Sequence, residues 1–364
     1  LNILHVISSP AAGGAEVYVK DLATDLAKNG HRVFIGFLER ASDTGRSLAF
    51  EENFLQELDR CGISYFFIGH ECRKKPWRGM ARVSRFVAVH NIDLYHAHLP
   101  YGVVFGARLR VPRVYTHHQS EPRFRRFIFR LFNQVIDRYI GISRRCADTL
   151  TRHTGREVTE IANGIDIGRF PARARQLSVS GTVHALAVGR IHPDKDYRFL
   201  VDALRALPDA YRNRLQVTIV GEGEAGYEST LKQYAAKGSA LPRFTFLGNR
   251  NDIPALLNDA DLFLMSSAQE GLPISLIEAA VSGLPCIVTD VGGCREIIDL
   301  CDNGYAVPHG DVQGYVKAVC HMLSDTTRFA RLSLNAAAKR QLLDIDRVTQ
   351  RHLDVYESLV SKSC

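Results

Sequence analysis

Strand-length apolar runs recur along this chain, each separated from the next by a stretch long enough for a helix. In the first half Asn2 to Ser8, His31 to Leu38, Ser64 to Ile68, Leu94 to His96, Arg113 to His117 and Arg138 to Ile142 read as strands. Gly14 to Lys28, Phe50 to Arg60, Trp77 to His90 and Arg123 to Val135 read as helices between them. Parallel strands need long crossovers and a helix is the usual one, so this alternation predicts a parallel sheet covered on both faces. A second series begins after Arg169 to Thr182, where Pro171, alternating Arg and Ala, and a Ser/Gly cluster break the periodicity of a linker. Val183 to Val188, Gln216 to Val220, Phe244 to Leu247, Leu262 to Met265, Cys286 to Thr289 and Tyr305 to Val307 are its strands. The chain has 364 residues. That exceeds the size at which single cores stop growing, so two α/β domains are expected.

Composition narrows the function classes. Hydrophobic residues make up 46% and charged residues 23% of the chain, ordinary for a globular protein, and no run is apolar for long enough to span a bilayer. Leu1 to Ser8 reads as a strand entering a glycine loop rather than as a signal peptide. The eight cysteines form no C-x-x-C and no Cys/His spacing of a zinc site, so free thiols are expected. The net charge of +7 is uneven: residues 73–145 hold 16 Lys/Arg against 3 Asp/Glu. The basic first half calls for an anionic partner or surface. No RNP-like, zinc-finger or helix-turn-helix pattern accompanies it, which argues against nucleic acid.

Glu270 and Glu278 stand eight positions apart, one after the strand Leu262 to Met265 and the other about two turns into a helix starting near Pro273. Both carboxylates can face the C-terminal edge of the sheet, where open α/β folds bind ligands. A carboxylate accepts two hydroxyls at once, so a pair on one wall suits a ligand with two polyols; a solvated helix-start acid with a structural partner is the plain alternative.

This segment, Glu270-Gly271-Leu272-Pro273-Ile274-Ser275 through Glu278, resembles the E-x7-E element of family-4 retaining glycosyltransferases. Gly13-Gly14-Ala15-Glu16 resembles that family's N-terminal glycine loop, and Asn163-Gly164-Ile165-Asp166 with Phe170 its interdomain element. Gly189-Arg190 with Lys195 resembles its G-R-x4-K element, Gly221-Glu222-Gly223 its second-strand glycines, and Thr116-His117-His118 its T-x-H pattern. The resemblance implies the GT-B fold of two Rossmann-like domains facing across a cleft. Residues 1–170 would form the acceptor domain, 171–345 the nucleotide-sugar domain, and 346–364 a helix returning to the first. Arg190 and Lys195 would bind the donor diphosphate, Glu278 its ribose and Glu270 the transferred sugar. Gly13, Gly14, Gly221, Gly223, Asn249 and Arg250 would line the donor site. His118 would contact the sugar or the acceptor region, leaving His117 as a core residue. Asp194-Lys195-Asp196 has the look of a metal-binding D-x-D, but a cap and first-turn acid for the next helix is the simpler reading, and no metal or other cofactor is expected.

The resemblance thus implies transfer of a sugar, with retention, from a nucleotide-sugar, UDP-sugar being the leading donor, to a glycan, a lipid or a polyprenyl-diphosphate-linked acceptor in surface polysaccharide synthesis. A UDP-sugar epimerase or phosphorylase on the same fold is the alternative. Arg123, Arg125, Arg126 and Arg130 punctuate an aromatic helix in which Phe124, Phe127, Ile128 and Leu131 share a face. Such a helix can lie on an anionic leaflet, which would place the protein peripherally at the cytoplasmic face of the cell membrane. Alternatively that face packs into the core.

Overall fold

A computed structural model describes residues 1–11, 13–45, 47–120, 125–178, 181–237 and 242–362. The chain forms two compact units, Leu1–Ile165 with Ile345–Cys364, and Asp166–Asp344. The first holds a seven-stranded sheet in the order β3-β2-β1-β4-β5-β6-β7. Its strands are β1 (Asn2–Ile7), β2 (Arg32–Phe37), β3 (Ser64–Phe67), β4 (Leu94–Ala97), β5 (Arg113–His117), β6 (Arg138–Gly141) and β7 (Val158–Glu160). The second holds six strands in the order β10-β9-β8-β11-β12-β13. These are β8 (Val183–Val188), β9 (Leu215–Val220), β10 (Arg243–Phe246), β11 (Leu262–Met265), β12 (Cys286–Thr289) and β13 (Gly304–Val307). Adjacent strands pair in parallel throughout both sheets. Both orders are doubly wound, with the direction of winding reversing at β1/β4 and at β8/β11. The fold class is GT-B, built of two Rossmann-like units.

Local chemistry sets the element ends. Helix Gly14–Lys28 stops at Asn29, and Gly30 takes φ +83°. Ser143 Oγ accepts from Cys146 N at 3.2 Å to open helix Arg144–Thr154. The last helix, Ile345–Val360, packs on Gly14–Lys28, and Ile345 N donates to Ile165 O at 2.9 Å. The basic aromatic helix occupies Arg126–Phe132, shorter than the sequence predicts. Beyond it Asn133 accepts from Tyr139 OH at 3.0 Å and donates to Thr154 O at 2.7 Å, which ties down the chain after the last turn. Strand β7 carries no clear sequence pattern because all three of its residues are half-buried.

The stretch expected to be a linker is instead bound into the second unit. The buried Arg175 guanidinium donates to the carbonyls of Leu257 (2.7 Å), Ala260 (2.7 Å), Ser282 (2.5 Å) and Arg173 (2.8 Å). Leu257 and Ala260 end helix Ile253–Asp259, and Ser282 ends helix Ile274–Val281. One cation thus caps the negative ends of two helices. Burial lowers its pKa to about 10, which leaves it charged at neutral pH.

Candidate active site

In the second unit the candidate residues leave the strands that flank the winding reversal. The loop after β8 is knit to its neighbours by backbone: Gly189 N donates to Val220 O (2.9 Å), Ile191 N to Glu222 O (2.8 Å) and Gly221 N to Gly248 O (2.8 Å). Only glycine fits such close approach, since a Cβ on Gly221 would lie 2.1 Å from Gly189 O and one on Gly223 2.2 Å from Ile191 O. The scaffold holds Arg190 exposed, and no ion pair with a carboxylate occupies it among the described residues. Lys195 follows in a short turn. Its ammonium meets Glu270 Oε1 at 2.5 Å, and Ser267 Oγ donates to the same oxygen at 2.6 Å. Ser266 Oγ donates to Lys195 O (2.9 Å), and Ala268 N to Asp194 O (2.8 Å), so the β8 and β11 loops are fastened together. Sequence reasoning named Lys195 and Glu270 separately; their pairing depends on the β8–β11 strand adjacency, which only the fold supplies.

Gly271 O accepts from Gly293 N at 2.7 Å, and Leu272, Pro273 and Ile274 are buried where the chain turns into helix Ile274–Val281. Ser275 and Glu278 are half-buried on that helix. Asp196 accepts from Phe199 N at 3.1 Å as the N-cap of helix Tyr197–Arg205, and its other oxygen lies 2.9 Å from His309 Nε2. Asp194 sits 3.3 Å from His192 Nδ1. Asn249 and Arg250 are exposed after β10, and Arg250 is paired with Asp252 at 2.5 Å.

In the first unit the reversal at β1/β4 is lined by histidines. His118, just past β5, bonds His98 (Nε2 to Nδ1, 2.9 Å), and His98 bonds His5 on β1 (Nε2 to Nδ1, 3.0 Å). His96 on β4 bonds Tyr356 OH (2.7 Å) and Thr116 Oγ1 (2.8 Å). Burial pushes these rings toward the neutral form, His5 and His118 to about 3 and His96 and His98 well below the ordinary value. His117 points away, with Nδ1 3.0 Å from Tyr115 OH and its ring against Phe129. His5 and His96 escaped sequence reasoning because they stand within apolar strand runs, with His98 just past the second of them; the His-x-His of 96 and 98 was their only local signal.

Gly13 caps helix Gly14–Lys28 without a side chain. Glu16 folds back over it: a Cβ on Gly13 would stand 2.1 Å from Glu16 Oε2, and Ser8 Oγ donates to Glu16 Oε1 at 2.5 Å. The helix N-terminus therefore already faces a carboxylate of its own.

Arg125, Arg126 and Arg130 are exposed, whereas Arg123 and Phe124 lie outside the described residues. Phe129 and Phe132 enter the core, yet Phe127 is 56% and Leu131 54% exposed. The solvent face thus mixes arginines with bulky apolar groups, a division one residue out of step with the sequence expectation. Trp77, between Lys75 and Arg78, is 62% exposed. No helix among the described residues is long and apolar enough to cross a membrane.

Two family profiles match: one described as Glycosyltransferase Family 4 over residues 12–169, the other as Glycosyl transferases group 1 over residues 182–325. The chain is 27% identical to the UDP-Gal:alpha-D-GlcNAc-diphosphoundecaprenol alpha-1,3-galactosyltransferase of Escherichia coli over 46% of each protein, so that match spans about half of the relative's length. It is 26% identical to the putative glycosyltransferase EpsF of Bacillus subtilis over 79% of each. Among solved structures, Anabaena HepE in complex with UDP-glucose superposes with a TM-score of 0.82 at 25% identity, over 98% of this chain and 100% of that one.

Proposed function

This chain belongs to glycosyltransferase family 4, and from that premise we propose that it transfers a sugar, with retention, from a UDP-sugar to a hydroxyl of a lipid-linked glycan. The carrying observation is the contact of Lys195 with Glu270. A nucleotide-sugar joins its sugar to a phosphate through one bridging oxygen, so a phosphate cation and a sugar-binding carboxylate must stand side by side. Arg190 and Lys195 hold the diphosphate and stabilise the charge that grows on it as the bond breaks. Glu270 accepts hydroxyls of the transferred sugar, and Glu278 those of the ribose. Gly221, Gly223, Asn249 and Arg250 line the nucleotide side, together with the Gly271–Ser275 turn. Gly13 and Gly14 receive sugar rather than phosphate, because Glu16 already sets a carboxylate there. His118 contacts the sugar.

The reaction needs no metal in this reading. Asp196 is occupied as a helix cap and by His309, which supports leaving the diphosphate to the two cations. The donor assignment draws on UDP-glucose in HepE, and the acceptor on the diphosphoundecaprenol named for the Escherichia coli relative. Exposed Phe127, Leu131 and Trp77 among arginines and lysines support docking of the first unit on an anionic membrane surface, where such an acceptor resides.

Calorimetry with UDP and UDP-sugars tests the donor site. Glu278→Ala weakens both ligands alike, whereas Glu270→Ala spares UDP and slows turnover. Equal loss of UDP binding in both variants overturns the division of roles. Transfer that stops in EDTA and returns with magnesium or manganese overturns the metal-free reading.

A further inference from the structure

The three rings His5, His98 and His118 are joined head to tail. Each link runs from Nδ1 of one ring to Nε2 of the next, in the order His5, His98, His118. The two end atoms, His5 Nε2 and His118 Nδ1, are buried and have no partner. A neutral imidazole carries one N–H and one bare nitrogen, so each link takes one donor and one acceptor. Three neutral rings bring three protons, and the two links use two of them. The third must sit at one end of the row. If it sits on His5 Nε2, every ring is the Nε2–H tautomer and His118 Nδ1 accepts. If it sits on His118 Nδ1, every ring is the Nδ1–H tautomer and His118 donates. Mixed arrangements leave two donors or two bare nitrogens face to face about 3 Å apart, which the low dielectric of a buried site penalises.

We propose that His5, His98 and His118 act as one tautomer relay, so that His118 Nδ1 offers a ligand hydroxyl either a donor or an acceptor without any ring becoming charged. Either end costs a similar unsatisfied polar atom in the free protein. A hydroxyl group bound at His118 Nδ1 satisfies that atom and decides the tautomer of all three rings. His98 and His5 are positioning residues, with His5 at the far end of the row from the ligand. That the ligand is a sugar hydroxyl rests on the glycosyl-transfer reading; the coupling of the rings does not. Burial keeps the row neutral over the working range, with His5 and His118 both depressed to about 3.

One nitrogen each of His5, His96 and His98 also come within 4.8 Å of one another, a spacing open to a metal. The existing hydrogen bonds already engage both nitrogens of His96 and both of His98, so a metal there would have to break them.

Nitrogen NMR of the histidine-labelled full chain reads the tautomers directly, with or without activity. The expected spectrum has His5, His98 and His118 neutral at pH 6 and in a single shared tautomer. Different tautomers within the row, or a charged member, overturn the relay. So does stoichiometric zinc in the purified protein whose removal by a chelator rearranges these signals. A second arm uses kinetics. His5→Leu lowers kcat about tenfold with the KM for UDP-glucose within twofold and alters the His118 signals, while His5→Asn, whose amide can turn either way, restores most of both. If His5→Leu folds and the His118 signals keep their wild-type positions, the coupling is absent. If the spectra show the relay but no UDP-sugar supports transfer, the glycosyl-transfer reading fails and the relay stands.

Discussion

The two units share a doubly wound sheet and differ in what fills the crevice where the winding reverses. In the second unit it is backbone and one ion pair: the glycine-knit loops after β8, β9 and β10, with Lys195 on Glu270. In the first it is imidazole, with His5 and His96 within strands β1 and β4, His98 and His118 just past β4 and β5, and His352 from the last helix beside them. Backbone hydrogen bonds hold their form across a wide pH range. Buried neutral imidazoles do not, because acid favours any state that releases them to water. Similar architectures should therefore differ in their sensitivity to acid.

The largest effect expected is acid unfolding confined to the first unit. Histidine in the unfolded chain takes up its proton near pH 6.5, whereas buried His5 holds out to about 3 and His117 and His352 to about 4. Between those values the unfolded state binds the extra protons, so stability is full above pH 6.5 and falls as pH drops. Each such ring costs about 1.4 kcal/mol per pH unit. His5, His118, His117 and His352 together remove on the order of 6 kcal/mol by pH 5.5, comparable with the stability of a whole domain, and buried His96 and His98 act in the same direction. No histidine of the second unit is buried among the described residues. Limited proteolysis at pH 5 should cut within residues 1–165 and leave 166–344 largely intact. Simultaneous loss of both units would break the comparison.

Next in size is Arg175→Ala, which acts on the second unit alone. It strands several buried carbonyls at two helix ends, and the expected cost is about 4 kcal/mol in urea unfolding. Arg175→Lys should recover less than half, since an ammonium cannot reproduce the planar fork. A cost under about 1 kcal/mol would mean that water replaces the guanidinium.

Arg175 also marks where sequence reasoning stops. Strand positions, the glycine turns and the cap at Asp196 were legible because their causes lie within a few residues. Arg175 read as part of a linker because its partners at the two helix ends are carbonyls more than eighty residues away, and carbonyls leave no trace in a sequence. The same limit divides the candidate sites. Glu270, Lys195 and His118 stood out from local motifs, yet the Lys195–Glu270 contact and the row behind His118 needed the parallel register to appear. Glu16 was visible beside Gly13 and Gly14, but only the fold turns it back onto them.

Third comes Lys195→Ala, expected to lower kcat by about two orders of magnitude, within the roughly 2 to 4 kcal/mol typical of a preorganised electrostatic contact. It sharpens the comparison because it removes the charged partner of Glu270 while leaving the histidines of the first unit unaltered. The acid transition of the first unit should stay within about 0.2 pH units of wild type. A shift of that transition in step with kcat would mean that the two units unfold as one cooperative body.

The smallest effect separates the outer surfaces of the units. Arg130 lies beside exposed Phe127 and Leu131 on the first unit, whereas Arg243 is an exposed arginine on β10 of the second. A cation near an anionic leaflet contributes about 1 kcal/mol, or about fivefold in partitioning. Arg130→Gln should therefore lower co-sedimentation with vesicles rich in phosphatidylglycerol about fivefold, and Arg243→Gln should leave it unchanged. Raising the salt should weaken wild-type binding more than binding of the Arg130 variant, since exposed charges are screened over about 10 Å at 0.1 M. Apolar insertion adds to this electrostatic part, so Phe127→Ser with Leu131→Ser should weaken binding even at high salt. Equal effects at Arg130 and Arg243 would mean that the protein meets the membrane through net charge alone, with no docking face on the first unit.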